Sequence, residues 1–467
     1  MTFPPGKPIL LLALVGLSSG LFIIARPKKT DDSLHIWVFA QSHADSLRAP
    51  IDGKPSLADQ YETMTGQKVS VDLVSFRALH IRLLSLFHSG AKGEKLPDLV
   101  AVEIGSVGQF LRQPPELIPF QPINAWLERD GGRERFVEAR FAAWTRGGQI
   151  FGIPHDVHPV TLTYRKDLFD EAGIDVEAIQ TWDEFADASR RYRKYWREHG
   201  KPQRLALELA PASSGDLVTL LLQRGVNLVD ADLNAHLTDE VVVDTVARYA
   251  RWVAGSEKFA GPASPGGENW CKDLERGDIA AMMTPDWRID PLRKASPALA
   301  GKVATRPLPK FDPTDAPTST IGGTMFAIPR NSRDPENAWK LAEFMLMSPQ
   351  ALAAREQFNG IIPPLREAWR DPTWHQPDPF FGGAKANELL IELADQIPRR
   401  TVTSYSVLAS ERLSFVLIDA VKRVEAGVDE KTLRDQIRIQ LQPAQADVER
   451  AIEFSRLDKV DSTKAAQ

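Results

Sequence analysis

The chain has 467 residues and a formal net charge of −5; one hydrophobic core does not organise that length, so two lobes or domains are expected. The mildly acidic balance, with no long basic block, gives no global electrostatic reason to bind nucleic acid. The lone cysteine, Cys271, excludes an intrachain disulfide and leaves the compartment open.

The first element lies outside any fold. Ile9 to Ala25, after Lys7, is an uncharged and mostly apolar run, long enough for a signal-peptide core and near the lower limit for a membrane-spanning helix. Arg26, Lys28 and Lys29 put positive charge on the far flank, which keeps an uncleaved anchor open beside a cleaved signal. No cysteine follows the run, so a lipoprotein anchor is excluded. Residues 1–33 are therefore set aside as signal peptide or membrane anchor.

From Leu34 to Ala40 the chain reads as a buried first strand, Leu57 to Met64 as a helix and Val69 to Val74 as a second strand. Leu79, Leu83, Leu86 and Phe87 form one helical stripe that Gly90 closes, and Leu96 to Gly105 holds the next strand. Strands alternating with helices imply a parallel α/β sheet. Ligands sit beyond the carboxyl ends of such strands, which nominates Phe39 to Asp45, with Trp37, Phe39 and His43 foremost, and Glu103 to Ser106.

Gly152 to Ile174 organises the rest. Ile153, Val157, Val160, Leu162 and Tyr164 read as a strand that Pro154 and Pro159 confine to an edge, a start or an irregular crossing. His155, Asp156 and His158 interrupt it; a solvent-filled cleft houses such groups at less cost than a core, the alternative being satisfied structural side chains. Alternate strand residues point to opposite faces, so the two histidines are not expected to converge on a metal.

Further on, Thr181 and Glu184 make a capping box that opens a helix, Leu205 to Ala210 is a strand candidate and Val241 to Val253 a helix. A strand from Ile279 to Met283 leads to a loop presenting Pro285, Asp286, Trp287 and Arg288. Trp287 is either a core plug or a platform, since an indole laid against the C–H face of a pyranose buries area and leaves the hydroxyls free. The proline-rich stretch after Arg306 reads as a hinge, and Gly322 with Gly323 permits close backbone approach before a strand at Met325 to Ile328. Asp334 caps, and Pro335 opens, another helix; Asn387 to Arg456 is mainly helical, and residues 457–467 form a polar tail expected to be frayed and flexible.

These motifs, taken in order, resemble the family 1 extracellular solute-binding proteins, the maltose-binding-protein-like sugar-binding components of ABC importers. The resemblance is carried by Pro97 to Val100, Gly152 to Ile174, the Thr-Trp-Asp-Glu-Phe element at Thr181, the Ala-Ala-Met strand with its following tryptophan, Gly322-Gly323, and Gly360 to Trp369. It spans Leu34 to about Arg456. His158 stands where relatives often carry a polar or acidic cleft residue.

The resemblance implies an α/β, two-lobed periplasmic-binding-protein fold of type II with discontinuous lobes: residues 34–151 plus 307–359, and 160–305 plus 361–456. It implies a ligand cleft between the lobes with Trp287, Arg288, Gly322 and Gly323 among its residues. A sugar, oligosaccharide or polyol would be captured and passed to ABC permease subunits with their ATPase, by a monomer in the periplasm or elsewhere outside the cytoplasm, with no cofactor or metal. Membrane contact would come through the permease or through an anchor at residues 9–25. The competing classes are a ligand-sensing subunit of a membrane receptor and an exported hydrolase. Against the latter, the chain lacks a Gly-x-Ser-x-Gly elbow, a phosphate-binding loop and a His-Glu-x-x-His motif.

Overall fold

The computed structural model describes residues 32–465 except 51, 52 and 131, so the apolar run Ile9 to Ala25 lies outside the described residues. Among the described residues no helix is long and apolar enough to cross a membrane.

Two main sheets organise the chain. Their strands are β1 (Leu34–Val38), β2 (Val69–Leu73), β3 (Leu99–Glu103), β4 (Ile153–Pro154), β5 (Val160–Arg165), β6 (Ala281–Pro285), β7 (Val303–Pro307) and β8 (Thr324–Ala327). The first sheet runs β2-β1-β3-β8-β4 and the second β6-β5-β7. β1 pairs in parallel with β2 and β3, but β8 is antiparallel to both β3 and β4. The first sheet is therefore mixed, where strand–helix alternation predicts a parallel one. β8 is the return strand, fed from the second lobe rather than by a crossover helix, and it enters from the opposite end.

Side-chain alternation builds the first core on both faces of its sheet. Leu34, Ile36, Leu99, Ala101 and Phe326 face one cluster; Trp37, Val100, Val102, Met325 and Ala327 face the other. In the second lobe Val160, Leu162 and Tyr164 of β5 face a large cluster that includes Trp182, Tyr192, Tyr249 and Trp252. Eight helices matter below: α1 (Gln41–Arg48), α2 (Phe76–His88), α3 (Ile104–Phe110), α4 (Trp182–Glu198), α5 (Glu240–Val253), α6 (Asn269–Arg276), α7 (Ser406–Glu425) and α8 (Glu430–Ala465).

The capping signals read from sequence are in place. Thr181 and Glu184 form both halves of the box that opens α4, and the Asp334 side chain accepts the Asn337 N–H. Gly90 takes φ +67° just past the end of α2. α1 was not signalled: it arises from the helix-forming stretch after Ala40, with His43, Ala44 and Leu47 buried on one side. The predicted strand from Ile153 to Tyr164 is two strands, β4 in the first sheet and β5 in the second, joined by an irregular crossing.

The stretch after β7, expected from its prolines to begin the return, still belongs to the second lobe. Leu308 is buried in that lobe's core with Phe311 packed against it, and the Trp182 N–H donates to the Lys310 carbonyl. α7 and α8 pack on α5 in the same lobe. α8 continues through Ala465, into the segment whose polarity predicts a tail; no Gly or Pro after Pro443 stops its propagation.

Candidate functional site

A cavity of about 460 Å³ opens between the lobes. The first lobe contributes the end of β1 and the start of α1, Phe39 to His43 with Asp45, and Glu103 at the end of β3. The second contributes Trp287, Asp290 and Lys294, while Asp156, His158, Gly322 and Gly323 come from the segments that cross between lobes. The strand ends nominated from sequence thus meet at one place, as the carboxyl-end rule for such sheets requires.

Trp287 forms one wall. Its indole is 40% exposed, and its Nε1 donates to the Ile321 carbonyl at 3.1 Å. One edge is pinned to a crossing segment while the ring stays accessible, unlike a fully buried core side chain. The crossing backbone passes close because it is glycine there: Gly322 has φ +83°, and a Cβ on it would sit 3.4 Å from Trp287 Nε1. At Gly323, φ +146°, a Cβ would run into the Arg140 guanidinium. The close approach is to protein segments.

Beneath the cavity lies a buried charge network. Asp156 accepts from Arg140 Nη2 at 2.7 Å and from the Thr324 N–H at 3.0 Å. His158 spans two carboxylates, with Nε2 3.1 Å from Asp156 Oδ2 and Nδ1 2.6 Å from Asp286 Oδ1. Asp286 also accepts the N–H groups of Trp287 and Ile362, at 2.8 and 2.9 Å. The network therefore ties together the crossing at 155–159, the one ending at Thr324 and the one at Ile362, and it fixes the backbone that carries Trp287.

The electrostatics follow from burial and pairing. Burial alone would push the His158 imidazole down, but the Asp156 and Asp286 charges outweigh it and raise its pKa to about 9. Burial would raise Asp156; His158, the adjacent His155 imidazole and the Arg140 charge hold it well below the usual carboxylate range. His43 is lowered to about 4, chiefly by burial. Burial pushes the Glu103 carboxyl up against the opposing Gly105 N–H and Arg400 charge.

His155 and His158 approach one carboxylate, and they do so only through the backbone distortion that the alternation argument requires. His155 Nδ1 lies 3.5 Å from the same Asp156 Oδ2 that His158 Nε2 approaches. The reason is the backbone: His158 takes φ +58°, a left-handed conformation that ends strict alternation. They share a carboxylate, and among the described residues no group of three or more ligating side chains could hold a metal ion.

Three nominated residues stand apart from the cavity. Trp37 points to the opposite side of β1, 5% exposed, under the Arg82 guanidinium 4.0 Å from its ring centre. His155 packs between His43 and Phe326, at 4.6 and 5.6 Å between ring centres. Arg288 pairs with Glu208 at 3.0 Å and lies over Trp270. Sequence reasoning missed Asp290 and Lys294, an i,i+4 ion pair at 2.6 Å whose spacing just after Trp287 was the available signal. It also missed Arg140, for which no local signal exists.

The family described as bacterial extracellular solute-binding protein matches residues 56–381. The arabinooligosaccharide-binding protein of Halalkalibacterium halodurans is 24% identical over 86% of this chain and 87% of its own length. The lactose-binding protein of Rhizobium radiobacter is 26% identical over 75% of this chain and 80% of its own. Among solved structures, the sugar-binding protein MalE of Xanthomonas citri superposes with a TM-score of 0.72 at 18% identity, covering 90% of this chain and 99% of that one. An ABC transporter solute-binding protein of Thermotoga lettingae, bound with α-D-tagatose, gives 0.67 at 19% identity over 90% of this chain and 100% of its own. These likenesses show the fold, a two-lobed α/β periplasmic-binding-protein architecture of type II.

Proposed function

The chain belongs to the bacterial extracellular solute-binding protein family, and from that premise we propose that its interlobe cavity captures a sugar or short oligosaccharide and delivers it to the permease of an ABC importer. The observation that carries this reading is the accessible indole of Trp287, set across a cavity that also holds Glu103 and the start of α1. A saccharide needs an aromatic platform for its C–H face and acceptors and donors for its hydroxyls. The names of relatives that bind arabinooligosaccharides and lactose agree with it. Solute touching both walls favours the closed arrangement, with the crossings at 155–159, 318–324 and 360–362 as the hinge.

The test is Trp287→Ala. For a saccharide that raises the melting temperature of the unsubstituted protein, the variant should bind about 1–3 kcal/mol more weakly, the scale of burying a large apolar side chain. The melting point of the unliganded protein should barely move, and the saccharide should be recovered chemically unchanged after incubation. A collapsed apo melting point with retained affinity, or turnover of the saccharide, would refute the proposal.

Family membership supports a site of action outside the cytoplasm. We assign Ile9 to Ala25 to export, as a cleaved signal or a retained anchor. A chain beginning at Asp31 is expected to remain in the cytoplasm, fold and bind the same saccharide, as cell fractionation and thermal shift would register. Aggregation of that shorter chain would show instead that the run packs against the lobes.

A further inference from the structure

We propose that a second interlobe groove, at the C-terminal end of α3, binds the anionic group of an acidic saccharide, a carboxylate or a sulfate; this rests on the solute-binding function above and narrows its substrate class. The groove encloses about 800 Å³, against about 460 Å³ beside Trp287. Both volumes fall in the range of small-molecule sites. Its first-lobe wall is the end of α3 with the hairpin formed by Thr145–Arg146 and Gln149–Ile150; the facing wall is the second-lobe loop at 231–233 and the segment 399–405, which Asn227 holds at Arg399 and Thr401 and whose Val402 packs against the first-lobe core.

The wall is dominated by guanidinium groups. Arg112, Arg133, Arg146 and Arg399 line it, with Asp232 as its acidic residue. Arg133 is matched by Glu138, its Nε 2.9 Å from Oε2. Arg146 and Arg399 make no side-chain hydrogen bond or ion pair among the described residues, although Arg399 lies within electrostatic reach of Glu138. Both line the same groove, so two like charges face one space. An anion between them turns that repulsion into a bridge, and the guanidinium fork fits carboxylate and sulfate oxygens in pairs. Hydroxyls of Thr401, Ser404 and Tyr405 on the same wall suit the rest of a saccharide.

The two cavities flank one helix. Glu103, the N-cap of α3, lines the tryptophan cavity, and Leu111 and Arg112 beyond its other end line the groove. Seven helical residues separate them, a span of about 10 Å at the α-helical rise. Between the cavities α3 meets the connecting segment 399–405 at Gly108, where a Cβ would collide with the Thr403 carbonyl.

The experiment is calorimetric titration of the purified protein with oligogalacturonates and with neutral galacto-oligosaccharides of equal length, and thermal shift with inorganic sulfate against chloride at matched ionic strength. The acidic series should bind at least about tenfold more tightly and weaken with salt, as charge-assisted contacts do. Arg146→Glu combined with Arg399→Glu should abolish that preference and leave neutral-sugar affinity intact, whereas Trp287→Ala weakens the neutral series and leaves the sulfate stabilisation unchanged. Equal affinity for the two series, or a preference that survives the double substitution, overturns the proposal while neutral-sugar binding still stands for the broader reading. If neither series binds, the sulfate arm decides: stabilisation by sulfate lost in the double variant keeps the anion site, and no such stabilisation removes it. An effect of sulfate equal in both proteins also counts against it.

Discussion

Asp156→Ala is expected to destabilise the protein by about 3–5 kcal/mol, the cost of breaking a buried ion pair by deleting one partner. The carboxylate is 1% exposed and accepts from Arg140, His158 and the Thr324 N–H. Its removal strands the Arg140 guanidinium and the His158 imidazolium without their shared counter-charge, since Asp286 neutralises only one of them. Denaturant unfolding reads the effect directly as a lowered midpoint with an unchanged slope. Asp156→Asn, which keeps the shape and an acceptor for Thr324 but removes the charge, should fall between the two. Because Asp286 also holds the Trp287 and Ile362 N–H groups, both variants should loosen the platform and weaken saccharide binding beyond their effect on stability. A loss under 1 kcal/mol for the alanine variant would mean that the network is not what holds the crossings together.

Stability should also pass through a maximum near pH 6.5–7 and fall on both sides. The folded-state pKa of His158 is raised to about 9 from 6.5. Its contribution is therefore fully present below about pH 6.5 and is lost as pH rises through 9; at 1.36 kcal/mol per unit it amounts to about 3 kcal/mol. His43 has the opposite sign. Burial lowers its pKa to about 4 from 6.5, so the unfolded chain binds a proton that the folded one refuses, and stability falls as pH drops below about 6.5. His155, also pushed well down by burial and the Arg355 charge, adds to that acid limb. Unfolding free energies measured from pH 5 to 9.5 should show both slopes. His158→Gln should remove the alkaline slope and His43→Gln should reduce the acid one. An alkaline limb unaltered by His158→Gln would show that the imidazole is not the titrating group.

How much of this was legible in the sequence depended on the range of the interaction that set each feature. Trp182 was placed by a capping box completed within three residues, and the helix at Pro335 by an aspartate one residue before it. The run Leu34 to Ala40 read as a buried strand because a short, nearly continuous apolar run is a local signal, and Leu34–Val38 forms it. Trp287 was found because an apolar strand directly precedes it, and the order of such motifs carried the family.

Tertiary structure decided the rest. Alternation says that Trp37 and Val38 face opposite ways, but only the packing of α2, with Arg82 over the indole, shows that Trp37 turns away from the cavity. The left-handed φ of His158 is compensated by partners that local pattern does not reach: Asp286 lies 128 residues on, and the Arg355 that donates to the His155 carbonyl lies 200 residues on. The arginine groove likewise draws together Arg146 and Arg399, 253 positions apart in the chain. Propensity and periodicity act over a turn or a strand, so the sequence by itself determined the elements, their order and the family. Which polar side chains share a buried charge, and which face the space between the lobes, depended on contacts that exist only once the chain has crossed and returned.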